Sequence, residues 1–121
     1  MADGALRAVQ AAMAMQALMS KYEEIEAAGE TRQLRIKCGI SSGPYFGAHI
    51  GMKPDTDAGR RGIMAYVTTG HTVNRAEQAE GHAGPGDTII TQETLDLLGD
   101  IVSAELVEEG FQAVQIGRAH V

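Results

Sequence analysis

The sequence predicts an α+β domain, with helices packed on one face of a mainly antiparallel sheet. Three observations predict it. Apolar residues recur at helical spacing over the first two dozen positions. The period then switches to two from Leu34 to Ile40. After a pair of strand-like runs, helical and strand patterns alternate to the end, giving the order α-β-β-β-α-β-α-β. There is no internal repeat and no low-complexity segment.

The first helix is expected from about Ala5 to Ala28. Leu6, Val9, Met13, Leu18, Tyr22 and Ile25 form its apolar stripe, while Arg7, Gln10, Ala14, Lys21 and Glu24 mark the wetter face. Asp3 reads as its N-cap and Gly29 as its stop. Leu34, Ile36, Cys38 and Ile40 then alternate with Arg35, Lys37 and Gly39, a strand with one buried face. Ser41-Ser42-Gly43-Pro44 is a turn. Strands follow over Tyr45 to Ile50 and Ile63 to Thr68, joined by a long polar loop, so Leu34 to Thr68 should form three adjacent antiparallel strands. Gly70-His71-Thr72-Val73-Asn74 is a strand-to-helix junction, and its short helix runs to about Glu80. Gly84-Pro85-Gly86 breaks the chain before a strand from Thr88 to Ile90. Thr91 caps the next helix, Glu93 suits its dipole and Gly99 ends it. Val102, Ala104 and Leu106 alternate as the last strand.

Composition removes several classes of function. The 121 residues form one domain at most, with 44% hydrophobic content and only 4% aromatic. A net charge of -6 and ten scattered basic residues exclude a nucleic-acid footprint. No apolar run reaches the length of a membrane span, and no signal peptide opens the chain. The single Cys38 excludes an internal disulfide and a cysteine-cluster zinc site. A cytoplasmic location is the default.

Three segments carry a resemblance. They are Ala5 to Met15; Leu34-Arg35-Ile36-Lys37-Cys38-Gly39-Ile40-Ser41-Ser42-Gly43-Pro44; and Gly70-His71-Thr72-Val73-Asn74-Arg75-Ala76 with Gly84-Pro85-Gly86, Ile89-Ile90-Thr91 and Glu93-Thr94. In this order and at this spacing, over roughly residues 5 to 107, they resemble the C-terminal part of a class III adenylate/guanylate cyclase catalytic domain. The resemblance implies the ferredoxin-like α+β sandwich of the nucleotide cyclase type, truncated at both ends. Residues 1–115 would be part of that catalytic domain. The tail Ile116-Gly117-Arg118-Ala119-His120-Val121 is what one frame of a common sequencing adapter encodes, and is expected to be adapter-derived.

The implied activity is conversion of ATP or GTP to the 3′,5′-cyclic nucleotide and pyrophosphate in intracellular signal transduction. The ribose 3′-hydroxyl attacks the α-phosphate while two divalent ions, Mg²⁺ or Mn²⁺ in the parent domain, neutralise the phosphates. By resemblance Asn74 orients the ribose. One helical turn later, where the family usually has a transition-state arginine, stands Gln78. Val67 falls on the base-selecting position, and a one-residue slip would place Thr68 there. The family's two metal-binding aspartates would lie upstream of residue 1, so no metal or other cofactor is expected for the fragment, which is predicted inactive alone. The implied partners are a purine nucleoside triphosphate and a second cyclase domain, as a homodimer or pseudo-dimer. Any membrane anchor of the parent would lie outside this segment.

Other readings stand beside these. Asn74 alone reads as a helix-start residue capping backbone amides, and Gln78 as an ordinary polar position. Asp55 and Asp57 make a solvated loop tip. His49, His71 and His82 are not spaced like a metal site, His120 belongs to the adapter-like tail, and Cys38 packs in the core. The alternatives in function are a non-catalytic cyclase-like domain kept for dimerisation or regulation, and an unrelated ferredoxin-like ligand-binding module.

Overall fold

α1 spans Ala2–Met19 and tightens into one 3-10 turn, Ser20–Tyr22. The computed structural model describes residues 2–22, 24–55, 57, 59 and 61–115; the expected adapter tail 116–121, and Arg60 in the polar loop, lie outside them. Ala5, Val9 and Ala12 bury one stripe of α1, with Leu6 and Met13 packed beside it. Asp3 sits inside the first turn rather than capping it, where its charge faces the positive end of the helix. Leu18 and Tyr22, expected in that stripe, stay exposed instead.

The helix does not run on to residue 28. β1 (Ile25–Ala27) instead pairs antiparallel with β2 (Glu30–Arg32). Ala28 and Gly29 both have positive φ, 55° and 79°, the conformation that two-residue hairpin turns require. Gly29 is therefore a turn residue and not a helix stop.

β3 is shorter than its alternation suggested, Cys38–Ile40, and it pairs parallel with β6 (Thr88–Thr91). The three adjacent antiparallel strands do not form. β4 (Phe46–Met52) and β5 (Ile63–Thr69) make a separate antiparallel hairpin, in register from Phe46 against Thr69 to Met52 against Ile63. The turn after β3 leads the chain out of the sheet, and Gly43 takes φ 148° there. Besides β1 and β2, a third strand was not anticipated: after β7 (Ala104–Glu108), Gly110 at φ 87° reverses the chain into β8 (Phe111–Val114). The main sheet has the order β3-β6-β8-β7, one parallel pair followed by two antiparallel pairs.

β6 decides the layering. All four of its residues are buried, and consecutive side chains point to opposite faces. Ile90 joins Ala5, Val9, Leu98, Val102 and Val114 beneath α1 and α3 (Gln92–Leu98). Ile89 joins Ala79, Ala83 and Phe111 beneath α2 (His71–Gly81). Helices thus cover both faces of the sheet, correcting the one-face expectation, because a strand flanked on both edges and apolar on both sides needs cover on both.

Two contacts fix the helices. α2 lies so close to β3 that a Cβ on Gly39 would sit 2.6 Å from the Ala76 carbonyl oxygen and 2.6 Å from the Glu80 amide nitrogen. Gln16 of α1 points its amide nitrogen at the carbonyls of Ile36, 3.3 Å, and Asp87, 3.2 Å, where β3 and β6 begin. The cap of α3 forms as expected: Thr91 accepts from the Thr94 amide, and Gly99, at φ 58°, ends the helix.

Candidate functional site

The site is built where β5 becomes α2. Gly70, at φ 127° and ψ 179°, makes the bend and supplies the N-cap without any side-chain hydrogen bond. The Asn74 amide donates to the Gly70 carbonyl at 3.0 Å, closing the first turn. Asn74 is therefore one turn inside the helix, so the capping role proposed for it does not apply. Asn74 and Gln78 are four residues apart and both exposed, neighbours on the solvent face, while Ala79 is buried against the sheet. No hydrogen bond engages either side-chain amide among the described residues.

Val67 is on a different element. It lies in β5 opposite Ala48, 40% exposed. Thr68 is opposite Gly47 and points to the other face of the hairpin. The two base-selecting candidates thus look in opposite directions, and a one-residue slip is not a small change.

Arg75, which sequence reasoning passed over, turns out to be spent inside the domain. Its guanidinium reaches Glu93 Oε2 at 3.2 Å and the Gly110 carbonyl at 3.2 Å. It also stacks 4.4 Å from the centroid of Phe111. Its Nε is buried with no partner among the described residues. The Glu93 carboxyl is held below its usual range, first by a backbone hydrogen bond, against the opposing effect of its slight burial, and then by Arg75. The one arginine of α2 is therefore not available on the face that carries Asn74 and Gln78. Only its place on the helix face of Ala79 signalled this in the sequence.

The remaining candidates take structural places. His49 stacks on Tyr66, with ring centroids 5.1 Å apart. His82 follows α2, packs 4.6 Å from Phe111 and brings Nδ1 within 3.7 Å of Glu108. His71 is the exposed first residue of α2, and His120 lies outside the described residues. Cys38 is half-buried beside Gln16. Asp55 and Asp57 are exposed in the loop joining β4 to β5. No three His, Cys, Asp or Glu residues come together to hold a metal ion among the described residues. Among the described residues the carboxylates do not fit a two-metal clamp, so no chemical step is derived through one. An open cleft of about 220 Å³ lies beside the junction, lined by Ala5, Ala8, Ile40, Ser42, Tyr45 and Thr72 among others. Behind it the Ser42 and Thr94 hydroxyls share a 2.7 Å hydrogen bond.

The family model of the adenylate and guanylate cyclase catalytic domain matches residues 2–121. The chain belongs to this cyclase family. Searches of curated proteins and of solved structures returned no match. Family membership supports a nucleotide cyclase role in general, and the mixed α+β architecture agrees with it. Among the described residues no helix is long and apolar enough to cross a membrane.

Proposed function

We propose that this chain is the ribose-contacting part of a purine nucleotide cyclase, which forms 3′,5′-cyclic AMP or GMP and pyrophosphate in intracellular signal transduction. The observation that carries this reading is the pair Asn74 and Gln78, exposed one turn apart on α2 and uncommitted to capping. A carboxamide at 74 both donates to and accepts from ribose hydroxyls, which orients the 3′-oxygen toward the α-phosphate. Gln78 donates one hydrogen bond to a phosphate oxygen but brings no charge. Since Arg75 is held by Glu93, Gly110 and Phe111, nothing on α2 substitutes for that charge. In the parent domain Mg²⁺ or Mn²⁺ would neutralise the triphosphate, held by carboxylates other than those described.

The second cyclase domain has a surface to meet. The register places Phe46, Ala48, Ile50 and Met52 on one face of the hairpin with Ile63, Ala65, Val67 and Thr69. Phe46 is 76% exposed and Ile63 77%. Together the large side chains present on the order of 600 Å² of apolar surface, against about 800 Å² per partner in a standard interface. That surface, with the neutral Gln78, is also what favours the second reading, a non-catalytic domain kept for dimerisation or regulation.

One assay separates the readings. The 121-residue chain, given Mg²⁺ or Mn²⁺ and either ATP or GTP, should form no cyclic nucleotide above a blank. A longer chain carrying two metal-binding aspartates upstream should show some activity, and Gln78→Arg in it should raise turnover by about 10²–10³-fold, the usual worth of a transition-state donor. Metal-dependent activity in the short chain would overturn the expectation of inactivity. A longer chain that stays silent with Gln78→Arg would favour the non-catalytic reading.

A further inference from the structure

The β4–β5 hairpin is exposed along both strands and is attached to the body at the first turn of α2. β5 enters that turn directly through Gly70. β4 is tied to the same turn by a second link, because the Thr72 hydroxyl donates to the carbonyl of Pro44, two residues before β4 begins. Gly43 leaves room for the link. A Cβ there would lie 2.6 Å from Thr72 Oγ1, and its φ of 148° suits glycine. The turn so gripped is the one that the Asn74 amide closes on Gly70.

We infer that Thr72 is a positioning residue that makes the hairpin and the first turn of α2 one mechanical unit, so that docking of a second copy on the hairpin's apolar face sets the orientation of Asn74. Without the hydroxyl, β4 would bear on the turn only through its ladder with β5, and Gly70 at the joint is the residue type that transmits torque worst. With it, both strands bear on the turn, and a shift of either reaches Asn74. The consequence for nucleotide contact rests on the proposed function; the coupling itself does not, and its test uses no nucleotide.

The experiment is amide hydrogen exchange on the full 121-residue chain, with sedimentation run in parallel. Thr72→Val should speed exchange of the Asn74 amide, the one that bonds Gly70, about tenfold, the equilibrium weight of one ordinary hydrogen bond, while β6 and β8 stay as protected as before. Thr72→Ser, which keeps the hydroxyl, should restore protection. Ile50→Lys on the apolar face should change exchange of the Asn74 amide when Thr72 is present, and by less than twofold in the Thr72→Val background. Unchanged protection in Thr72→Val would overturn the inference. So would failure of Thr72→Ser to rescue, an Ile50→Lys effect equal in both backgrounds, or protection lost across β6 and β8 as well, which would make Thr72 a support of the whole domain. If sedimentation shows a monomer throughout, docking of a second copy is refuted as the input, and the Thr72 variants alone decide whether the link exists.

Discussion

Replacing Gly39 by alanine would drive a methyl group into the backbone of α2. The added carbon would lie 2.6 Å from the Ala76 carbonyl oxygen, 2.6 Å from the Glu80 nitrogen and 3.1 Å from the Glu80 Cα. All three are main-chain atoms within a helix, so none can rotate away. Ordinary contact at about 3.5–4.0 Å requires α2 to retreat by roughly 1 Å. The Ala79, Ala83, Ile89 and Phe111 cluster beneath the helix would then open. Overpacking of this kind costs about 1–3 kcal/mol. For a domain of this size that is a fall of roughly 4–12 °C in melting temperature. Gly4→Ala is the matched control. Gly4 lies in α1 with nothing within 4 Å of the added carbon. Relief of glycine's chain entropy there should raise stability by up to about 1 kcal/mol. Thermal melts followed by far-ultraviolet circular dichroism read both variants. A Gly39→Ala protein melting at or above the wild type would refute the close-packing of α2 on β3, and with it the placement of Asn74 and Gln78.

Other outcomes test the site's surroundings. Glu93 has a folded pKa below its ordinary 4.5, so its contribution is present above that value and is lost as pH falls through the folded one; Glu93→Gln should lower the urea midpoint at neutral pH, and the difference from wild type should shrink as the pH is taken progressively below 4.5. Arg75→Met should cost about 1–3 kcal/mol in urea unfolding, and Arg75→Lys should recover little of it, since an ammonium cannot span Glu93 and Gly110 while stacking on Phe111. Ile63→Lys, at a position 77% exposed, should leave the melting temperature unchanged yet weaken self-association at least about tenfold in sedimentation, roughly what removing one large apolar anchor does. An unchanged sedimentation profile would mean that the apolar face of the hairpin is not the seam.

The parts legible from the chain alone are those whose cause is local. Gly70 at the junction, the Thr91 cap, the Gly99 stop and the apolar runs of β4 and β5 each act on residues within a few positions, so pattern and propensity suffice to read them. The shared face of Asn74 and Gln78 follows from helical spacing in the same way. Which strand lies beside β3 is not local: Cys38–Ile40 finds its partner in Thr88–Thr91, some fifty residues on, and nothing in the alternation of 34–40 encodes that choice. β8 is similar, since Phe111–Val114 gains its meaning only when β6 and β7 flank it. The two-sided burial of Ile89 and Ile90, and hence the helices on both faces, emerges once β6 is central. Arg75 shows the limit most clearly. By composition it belongs to the solvent beside Asn74, and only the arrival of Phe111, Gly110 and Glu93 from other elements turns it inward. Local chemistry chose the elements and the exposed pair. Long-range packing, which trades the solvation of a charge for contacts the chain brings from afar, decided what that pair has beside it.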